Sequence, residues 1–295
     1  MHTLIFSSVL AVRTPLPPRM AAPAAATGCE PLLRQLFDGV IDPASVAEAC
    51  SPSVEWDDMA AGAPAVGREA VREMLSAKFP ASSKLVIDRL SDGQRSGGFT
   101  WHREAVTEGG KASAIGLRGT LFAELDTDGQ IAYVREGCEP ILKPGEATEA
   151  LLKAVTANAE MPEKPPPTFT QQTPTSASAI ARYLWEEAYP GGADPTEALR
   201  LFADDIVYED FNYPEPFVGK QAVTDFVTAF DIPGVEFVAL KVSEGETGCA
   251  FTWKVMVNGQ AGPQGLSFYE VNDKGQVCFV PSAGGARGPA SAAHP

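Results

Sequence analysis

The chain has 295 residues, of which 44% are hydrophobic and 21% are charged, a composition typical of globular proteins. Its net charge of -15 repels phosphate backbones and anionic lipid surfaces, which argues against nucleic-acid partners and membrane-surface binding. No apolar run approaches the ~18 residues needed to cross a bilayer, so stable membrane insertion is not expected. The cysteines form no CxxC pair, and the histidines are His2, His102 and His294. This pattern argues against a disulfide framework, a metal site or a histidine-dependent triad, and no glycine-rich phosphate loop predicts a nucleotide cofactor.

Residues 1–28 differ from the rest of the chain. They contain no acidic residue, a short apolar stretch at 4–12, the basic residues Arg13 and Arg19, and an Ala-rich end. The segment resembles the two-part presequence of algae with complex plastids, which predicts a targeting segment and a chloroplast location after its removal. We expect the mature N-terminus between about residues 12 and 29. A plain disordered terminus is the alternative.

The first predicted domain spans residues 30–157. Helical apolar spacing begins at Leu32 and continues to Val40, and Asp42-Pro43 is typical of the start of a second helix. The remaining predicted elements are a strand at 53–58, a helix at 67–79, strands at 84–90, 96–106, 113–126 and 130–136, and a helix at 145–157.

Residues 158–178 are rich in Pro, Thr and Ser, which predicts a linker. The second predicted domain, 179–281, repeats the order of the first. Its elements are helices at 179–190, 195–202 and 219–229 and strands at 205–210, 235–243, 247–257, 263–272 and 275–281. Residues 282–295 are predicted to be a disordered tail.

Sequence repeats support the two-domain interpretation. Three segments recur at one offset of 152 residues: 42–43 as 194–195, 67–71 as 219–223, and 99–101 as 251–253. A fourth pair aligns Gly129-Gln130 with Gly275-Gln276 at an offset of 146, because the loop after the repeated tryptophan is shorter in the second copy. The chain is therefore predicted to be two tandem copies of one α+β domain, each a bent sheet around its first helix.

The second copy carries the clearest family pattern. Leu201–Asp210, followed by Pro216-Phe217-Val218-Gly219-Lys220, resembles the cone-shaped family of nuclear transport factor 2 (NTF2), SnoaL-type polyketide cyclases and ketosteroid isomerases. The resemblance implies two tandem NTF2-like domains, each a strongly curved antiparallel sheet wrapped around helices. It also implies a small apolar ligand in the mouth of the cone, although many members of this family are not enzymes.

Strand parity selects candidate functional residues independently of the family. Alternation places Ile206, Tyr208 and Asp210 on one face, and the first copy repeats this with Trp56 and Asp58. A carboxylate on an apolar wall has a raised pKa, which suits a general base beside a carbonyl. The alternative is a strand-end Asp bonded to the backbone amides of the next turn.

The family resemblance adds further roles. It implies that Asp210 is the catalytic base and that Tyr183 stabilises an oxyanion, with Ser267 where ketosteroid isomerases hold a second donor. The expected ligand-binding wall comprises Tyr208, Trp253 and Ser267, together with Asp58 and Trp56 in the first copy. Pro31 and Leu121 stand opposite Tyr183 and Ser267, so the first copy is predicted to be structural.

The sequence thus predicts a plastid protein that binds a small apolar molecule in its second copy, with metal-free isomerisation or cyclisation through Asp210 as its chemistry. The alternative is a non-catalytic interaction or assembly scaffold that binds a protein partner. In both interpretations we expect the two domains to pair through their sheet faces, with the linker passing outside.

Overall fold

The computed structural model describes residues 28–79, 83–106, 112–157, 166–232 and 234–285. It has an α+β architecture with two curved, largely antiparallel sheets, each packed against helices on one face. We call residues 28–157 the first half and residues 166–285 the second half. In these ranges no helix is both long and apolar enough to span a membrane.

The first half contains a seven-stranded sheet in the order β1-β4-β5-β6-β7-β2-β3. Neighbouring strands are antiparallel except for β2 and β7, which run parallel. The strands are β1 (Gly39–Val40), β2 (Cys50–Asp58), β3 (Ala65–Val66), β4 (Ser83–Leu90), β5 (Ser96–Val106), β6 (Ala112–Leu125) and β7 (Ile131–Cys138). The helices are α1 (Cys29–Phe37), α2 (Pro43–Ala49), α3 (Arg68–Lys78) and α4 (Gly145–Thr156).

The second half contains a six-stranded sheet in the order β10-β11-β12-β13-β8-β9, which matches the first sheet without β1. Its strands are β8 (Phe202–Asp210), β9 (Phe217–Val218), β10 (Val235–Val242), β11 (Gly248–Val257), β12 (Gln260–Val271) and β13 (Val277–Gly285). Its helices are α5 (Ala177–Arg182), which continues as a π-helix (Tyr183–Ala188), a 3-10 helix (Pro195–Arg200) and α6 (Lys220–Ala229).

The repeated Asp-Pro motif starts a helical segment in both halves. The Asp42 carboxylate accepts hydrogen bonds from the Ala44 and Ser45 amides, both at 3.2 Å, and proline occupies the first turn. Asp194 accepts from the Thr196 amide at 2.8 Å at the start of the 3-10 helix. In each case a side-chain oxygen satisfies an amide that the helix itself leaves unpaired.

Each half has its own hydrophobic core between helices and sheet. A third buried cluster lies between the two sheets, on their outer faces, and comprises Phe122, Phe211, Ala250, Leu266, Phe268 and Ala283. A Cβ added at Gly98 would lie 2.4 Å from the Cβ of Ala250, and one added at Gly137 would lie 2.7 Å from the Cβ of Ala283. Gly98 and Ala250 are equivalent positions of the repeat, as are Gly137 and Ala283, so equivalent positions face each other across the contact.

Polar contacts around this cluster are also reciprocal. The Asp92 carboxylate accepts from the Glu246 and Thr247 amides at 2.9 and 3.1 Å. The Glu244 carboxylate, 152 positions later, accepts from the amides of residues 94 and 95, both at 2.9 Å. Each half thus caps the same turn of the other half.

The same reciprocity holds for two ion pairs. Arg89 pairs with Glu270 at 2.7 Å, and the equivalent residues Lys241 and Glu124 also form an ion pair. Arg89 lies over the Phe279 ring, as Lys241 lies over the ring of Tyr133, the position equivalent to Phe279. Contacts of this mutual kind define an isologous, two-fold-like interface.

Several boundaries differ from the sequence-based expectation. The first helix ends at Phe37 instead of Val40, because Gly39–Val40 pairs with β4. Residues 282–285 belong to β13 and not to a disordered tail. The end of the predicted linker packs on the second half, where the Thr168 amide donates to the Gly191 carbonyl at 2.9 Å. The predicted targeting segment up to residue 27 and the tail from 286 lie outside the described residues.

Candidate functional site

Strand β8 presents two chemically different faces. Ile206 is fully buried and Tyr208 packs against the same core, which places them on the inner side of the second sheet. Glu209 and Phe211 lie on the other side, where Glu209 pairs with Arg118 of the first half at 3.0 Å. Because side chains alternate along a strand, Asp210 belongs to the inner side with Tyr208.

A chain of hydrogen bonds crosses this inner wall. The Trp253 Nε1–H donates to Ser267 Oγ at 3.0 Å, and Ser267 Oγ donates to Ser282 Oγ, also at 3.0 Å. Ser282 is paired in register with Asp210 on the neighbouring strand and lies within hydrogen-bonding reach of the Tyr208 phenol. We call Tyr208, Asp210, Trp253, Ser267 and Ser282 the inner recess.

The Asp210 carboxylate shows both environments that the sequence suggested, the buried inner wall and the hydrogen-bonded turn at the strand end. Its Oδ1 accepts from the Asn212 backbone amide at 2.9 Å and from the Asn212 side-chain amide at 3.0 Å. Burial nevertheless raises the pKa of Asp210, and the opposing effects of Asn212 and of the Lys143 charge are smaller. The carboxyl group therefore holds the turn and also has a proton affinity above that of an ordinary Asp.

Two of the recess residues keep some accessible surface although their polar groups are desolvated, whereas Trp253, Ser267 and Ser282 are buried. Tyr208 and Asp210 are both partly accessible, and burial is the main cause that raises the pKa of each. Side chains facing bulk water would not be desolvated, and fully packed side chains would not be accessible. Burial is therefore the dominant influence on both polar groups, although both residues lie near the surface.

Aromatic rings pack together near the end of β8 and border the inner recess through Tyr208. Phe226 of α6 lies at the centre, with ring centroids 4.2 Å from Phe217, 5.2 Å from Tyr208, 5.4 Å from Tyr213 and 5.1 Å from Phe230. The rim is therefore apolar and flat-sided, whereas the wall carries a carboxyl group and hydroxyl groups.

The structure does not bring Tyr183 and Asp210 together. The Tyr183 hydroxyl donates to Glu197 Oε1 of the 3-10 helix at 2.7 Å, and Glu197 also pairs with Arg200. That phenol is already engaged outside the inner recess, so the expected oxyanion role is not supported by its position. The Asp210 charge instead raises the pKa of the Tyr208 and Tyr213 phenols, in both cases after the larger effect of burial.

The matching position in the first half is occupied by an ion cluster. Lys78 Nζ lies 2.7 Å from Asp58 and 2.9 Å from Glu136, and these side chains are 15%, 11% and 2% exposed. Trp56 is buried and its Nε1–H points to Glu136 Oε2 at 3.4 Å. Asp58 and Trp56, expected to contact a ligand, are therefore placed in a closed cluster whose lysine the sequence reasoning missed.

Strand registers explain the difference between the halves. Ser267 pairs with Ser282 and Gly265 with Gly284, just as Leu121 pairs with Glu136 and Gly119 with Cys138. Ser267, Ser282 and Gly284 of the second half therefore correspond to Leu121, Glu136 and Cys138 of the first half. Residue 230, 152 positions after Lys78, is Phe. The second half therefore lacks the lysine and the second carboxylate that form the first-half cluster.

The repeat offset alone could have identified the inner residues that differ between the two halves. Aligning the last strands at 146 places Ser282 opposite Glu136 and Gly284 opposite Cys138. Asn212 and Lys143 carry no such signal, because each acts through a contact that only the folded chain creates. Among the described residues, no group of three or more His, Cys, Asp or Glu side chains is arranged to hold a metal ion.

Comparison with known proteins identifies the second half. Residues 177–280 match the family model of the SnoaL-like domain. Similar solved structures include a Kribbella flavida protein provisionally described as a ketosteroid isomerase, with 22% identity, 36% of this chain and 75% of that chain covered, and a TM-score of 0.30. An NTF2-like protein of unknown function from Mesorhizobium loti has 19% identity, 40% and 98% coverage, and a TM-score of 0.32. No curated protein sequence matches the chain.

Proposed function

Because residues 177–280 match the SnoaL-like domain family, we propose that the second half binds a small, largely apolar molecule in the inner recess and that Asp210 transfers a proton on it. The observation that carries this proposal is Asp210, a residue on the inner side of β8 that is partly accessible and whose carboxyl pKa is raised by burial. A proton-transfer group needs both access to the substrate and a pKa moved towards the working pH.

The surroundings indicate the chemical class of the ligand. Flat aromatic rings at the rim favour a cyclic or conjugated apolar body. The Tyr208 and Ser282 hydroxyl groups can donate hydrogen bonds, so the ligand should carry an oxygen acceptor such as a ketone. Apolar walls with a few convergent polar groups are the usual composition of small-molecule sites.

These groups would support enolate chemistry. The Asp210 carboxylate would accept the proton from a carbon beside the ketone, and the C–H electron pair would form the enolate double bond. Tyr208 or Ser282 would donate to the enolate oxygen, where negative charge develops. Return of the proton to the γ-carbon of an unsaturated ketone moves the C=C double bond and completes an isomerisation. In a cyclisation the enolate carbon attacks a second carbonyl carbon, the C=O π electrons move to that oxygen, and Asp210 returns the proton to it.

A scaffold is the second candidate, because the inner position of the first half is closed by side chains. Its inner position is filled by the Asp58–Lys78–Glu136 cluster, and its outer sheet face is covered by the second half. An intramolecular pair of this kind would suit an assembly protein that binds a protein partner and catalyses nothing.

The proposed location is the plastid of an alga, supported by the acid-free, arginine-bearing composition of residues 1–28. Attaching these residues to a fluorescent protein should direct it to plastids. Residence of the fusion in the cytosol would refute the proposed location.

Deuterium exchange tests the proposed chemistry with simple ketones in place of the natural substrate. The protein would be incubated in D2O with a set of cyclic ketones, and uptake at the α-carbon followed by mass spectrometry. We expect exchange above the buffer rate, its loss in Asp210→Asn, and its retention in the matched variant Asp58→Asn. Absence of exchange by the wild type, or equal activity of Asp210→Asn, would rule out the catalytic proposal and favour the scaffold.

A further inference from the structure

The first half reaches the candidate site of the second half through the residues after β7. We call residues 139–144 the bridging segment, since they connect β7 to α4. Lys143 Nζ donates to the Phe211 carbonyl at 2.9 Å and also pairs with Glu139 of the same segment. Phe211 directly follows Asp210, so this lysine holds the backbone next to the carboxyl group.

A second anchor fixes the bridging segment itself. Arg118 Nε donates to Glu139 Oε2 at 2.7 Å, and Arg118 Nη1 donates to Glu209 Oε2 at 3.0 Å. The same guanidinium lies 5.1 Å from the centroid of the Phe211 ring. One arginine of the first half thus joins the bridging segment to both residues that flank Asp210.

A third contact lies at the start of α4. The Gly145 amide donates to the Asn212 carbonyl at 3.0 Å. The Tyr213 ring comes so close that a Cβ added at Gly145 would lie 2.5 Å from two of its carbons. Asn212 is the residue whose amides hold the Asp210 carboxylate, so the contact reaches the site through a single residue.

We propose that Lys143, held by Arg118 and Glu139, is a positioning residue that completes the second-half site by fixing the segment 210–213. The first half is then more than a covalent dimer partner, because the site in the second half is incomplete without it. The inference rests on the proposed function of Asp210 but concerns how that residue is held. Preorganised sites commonly depend on such supporting contacts.

The charged and titratable groups around Asp210 determine how its pKa should respond when the Lys143 charge is removed. Tyr208 on the same strand and Tyr213 in the next turn face the carboxyl group, and Lys143 is the cation that acts on it. Glu146 and Glu149 of α4 act on Tyr213, whereas Glu139 is engaged with Arg118 and Lys143. Removing the Lys143 charge should therefore raise the pKa of Asp210.

The test uses the ligand-free, full-length protein, so that it does not depend on any activity. Carbon-13 NMR of labelled aspartate would give the Asp210 titration in wild type, Lys143→Met, Lys143→Arg and the control Lys153→Met, which removes an exposed lysine of α4. Lys143→Met should raise the Asp210 pKa, because the Lys143 charge lowers it. It should also speed amide exchange at Asn212 and Tyr213, whose amides bond to Asp210.

Lys143→Arg should restore both properties, and Lys153→Met should change neither. An unchanged Asp210 titration together with unchanged amide exchange in Lys143→Met would overturn the proposal. If these shifts occur but no ligand binds and no ketone exchanges, positioning by the first half stands and the proposed function fails.

Discussion

Replacing Lys78 with methionine tests the closed cluster of the first half. Lys78 lies 2.7 and 2.9 Å from two carboxylates that are 11% and 2% exposed, so the substitution removes the cation between two buried acids. Breaking a buried ion pair by deleting one partner costs about 3–5 kcal/mol. We expect a loss of that size in the free energy of unfolding at pH 8.

The pKa of Lys78 determines how the stability loss of Lys78→Met should depend on pH. Burial lowers the pKa of Lys78, but the charges of Glu136, Cys138 and Asp58 together raise it above its ordinary value. A lysine with a raised folded pKa contributes its full stability below the unfolded pKa and loses it only at higher, alkaline pH. Lys78 therefore stays charged throughout the range from pH 5 to pH 8, so the deficit of Lys78→Met should persist across that range.

Urea denaturation of wild type, Lys78→Met and Lys153→Met would measure these losses. Lys153 forms an exposed pair with Glu149 within α4, and such pairs contribute about 0.5 kcal/mol or less. A loss for Lys78→Met no larger than that of the control, or one that grows towards pH 5, would refute the buried-cluster interpretation.

Three further predictions concern the interface, a helix cap and the candidate site. Gly98→Ala should lower the free energy of unfolding by about 1–3 kcal/mol through overpacking, because its Cβ would lie 2.4 Å from the Cβ of Ala250. The control Gly62→Ala has open space around it and should be near neutral. Equal urea midpoints for the two variants would contradict the overpacking. Asp42→Ala should cost about 1 kcal/mol at pH 7 in the same assay, and the deficit should fade at acid pH, because hydrogen bonding lowers the pKa of Asp42 in the folded state. Asp210→Asn should be more stable than wild type at pH 8, because burial raises the folded pKa of Asp210 and so disfavours its charged form. The difference should become smaller as the pH falls. A variant that is less stable than wild type at every pH would show that burial does not destabilise the carboxylate.

The repeat made most of the fold predictable. Paired motifs at a single offset located equivalent strands. Phe99–Trp101 lies within β5 and Phe251–Trp253 lies at the equivalent place within β11. Local errors arose where tertiary pairing decides the outcome. Residues 39–40 fit the helical spacing but pair with β4, and residues 282–285 look like a flexible tail but extend β13 along β12.

The candidate site was only partly predictable. Strand parity correctly grouped Ile206 with Tyr208 as inward residues, because alternation follows from backbone geometry alone. It could not show that the Tyr183 phenol would engage Glu197, since that contact joins two helical segments 14 residues apart. Nor could it show that Lys78 would enter the first-half core, because a lysine at the end of a helix normally points to water.

Native mass spectrometry of the protein purified from the cells that naturally express it tests most directly whether the second-half recess is a small-molecule site. A Cβ at Gly284 would already lie 3.2 Å from the Trp253 ring and 3.5 Å from the Asn212 side-chain nitrogen, so the larger side chain of Gly284→Leu would crowd the recess and should exclude a ligand. We predict one small molecule per chain in wild type and in Asp210→Asn, its loss in Gly284→Leu, and no effect of Cys138→Ala at the equivalent first-half position. A wild-type protein that carries no ligand, or a ligand that Gly284→Leu retains, would contradict a binding site in the second half.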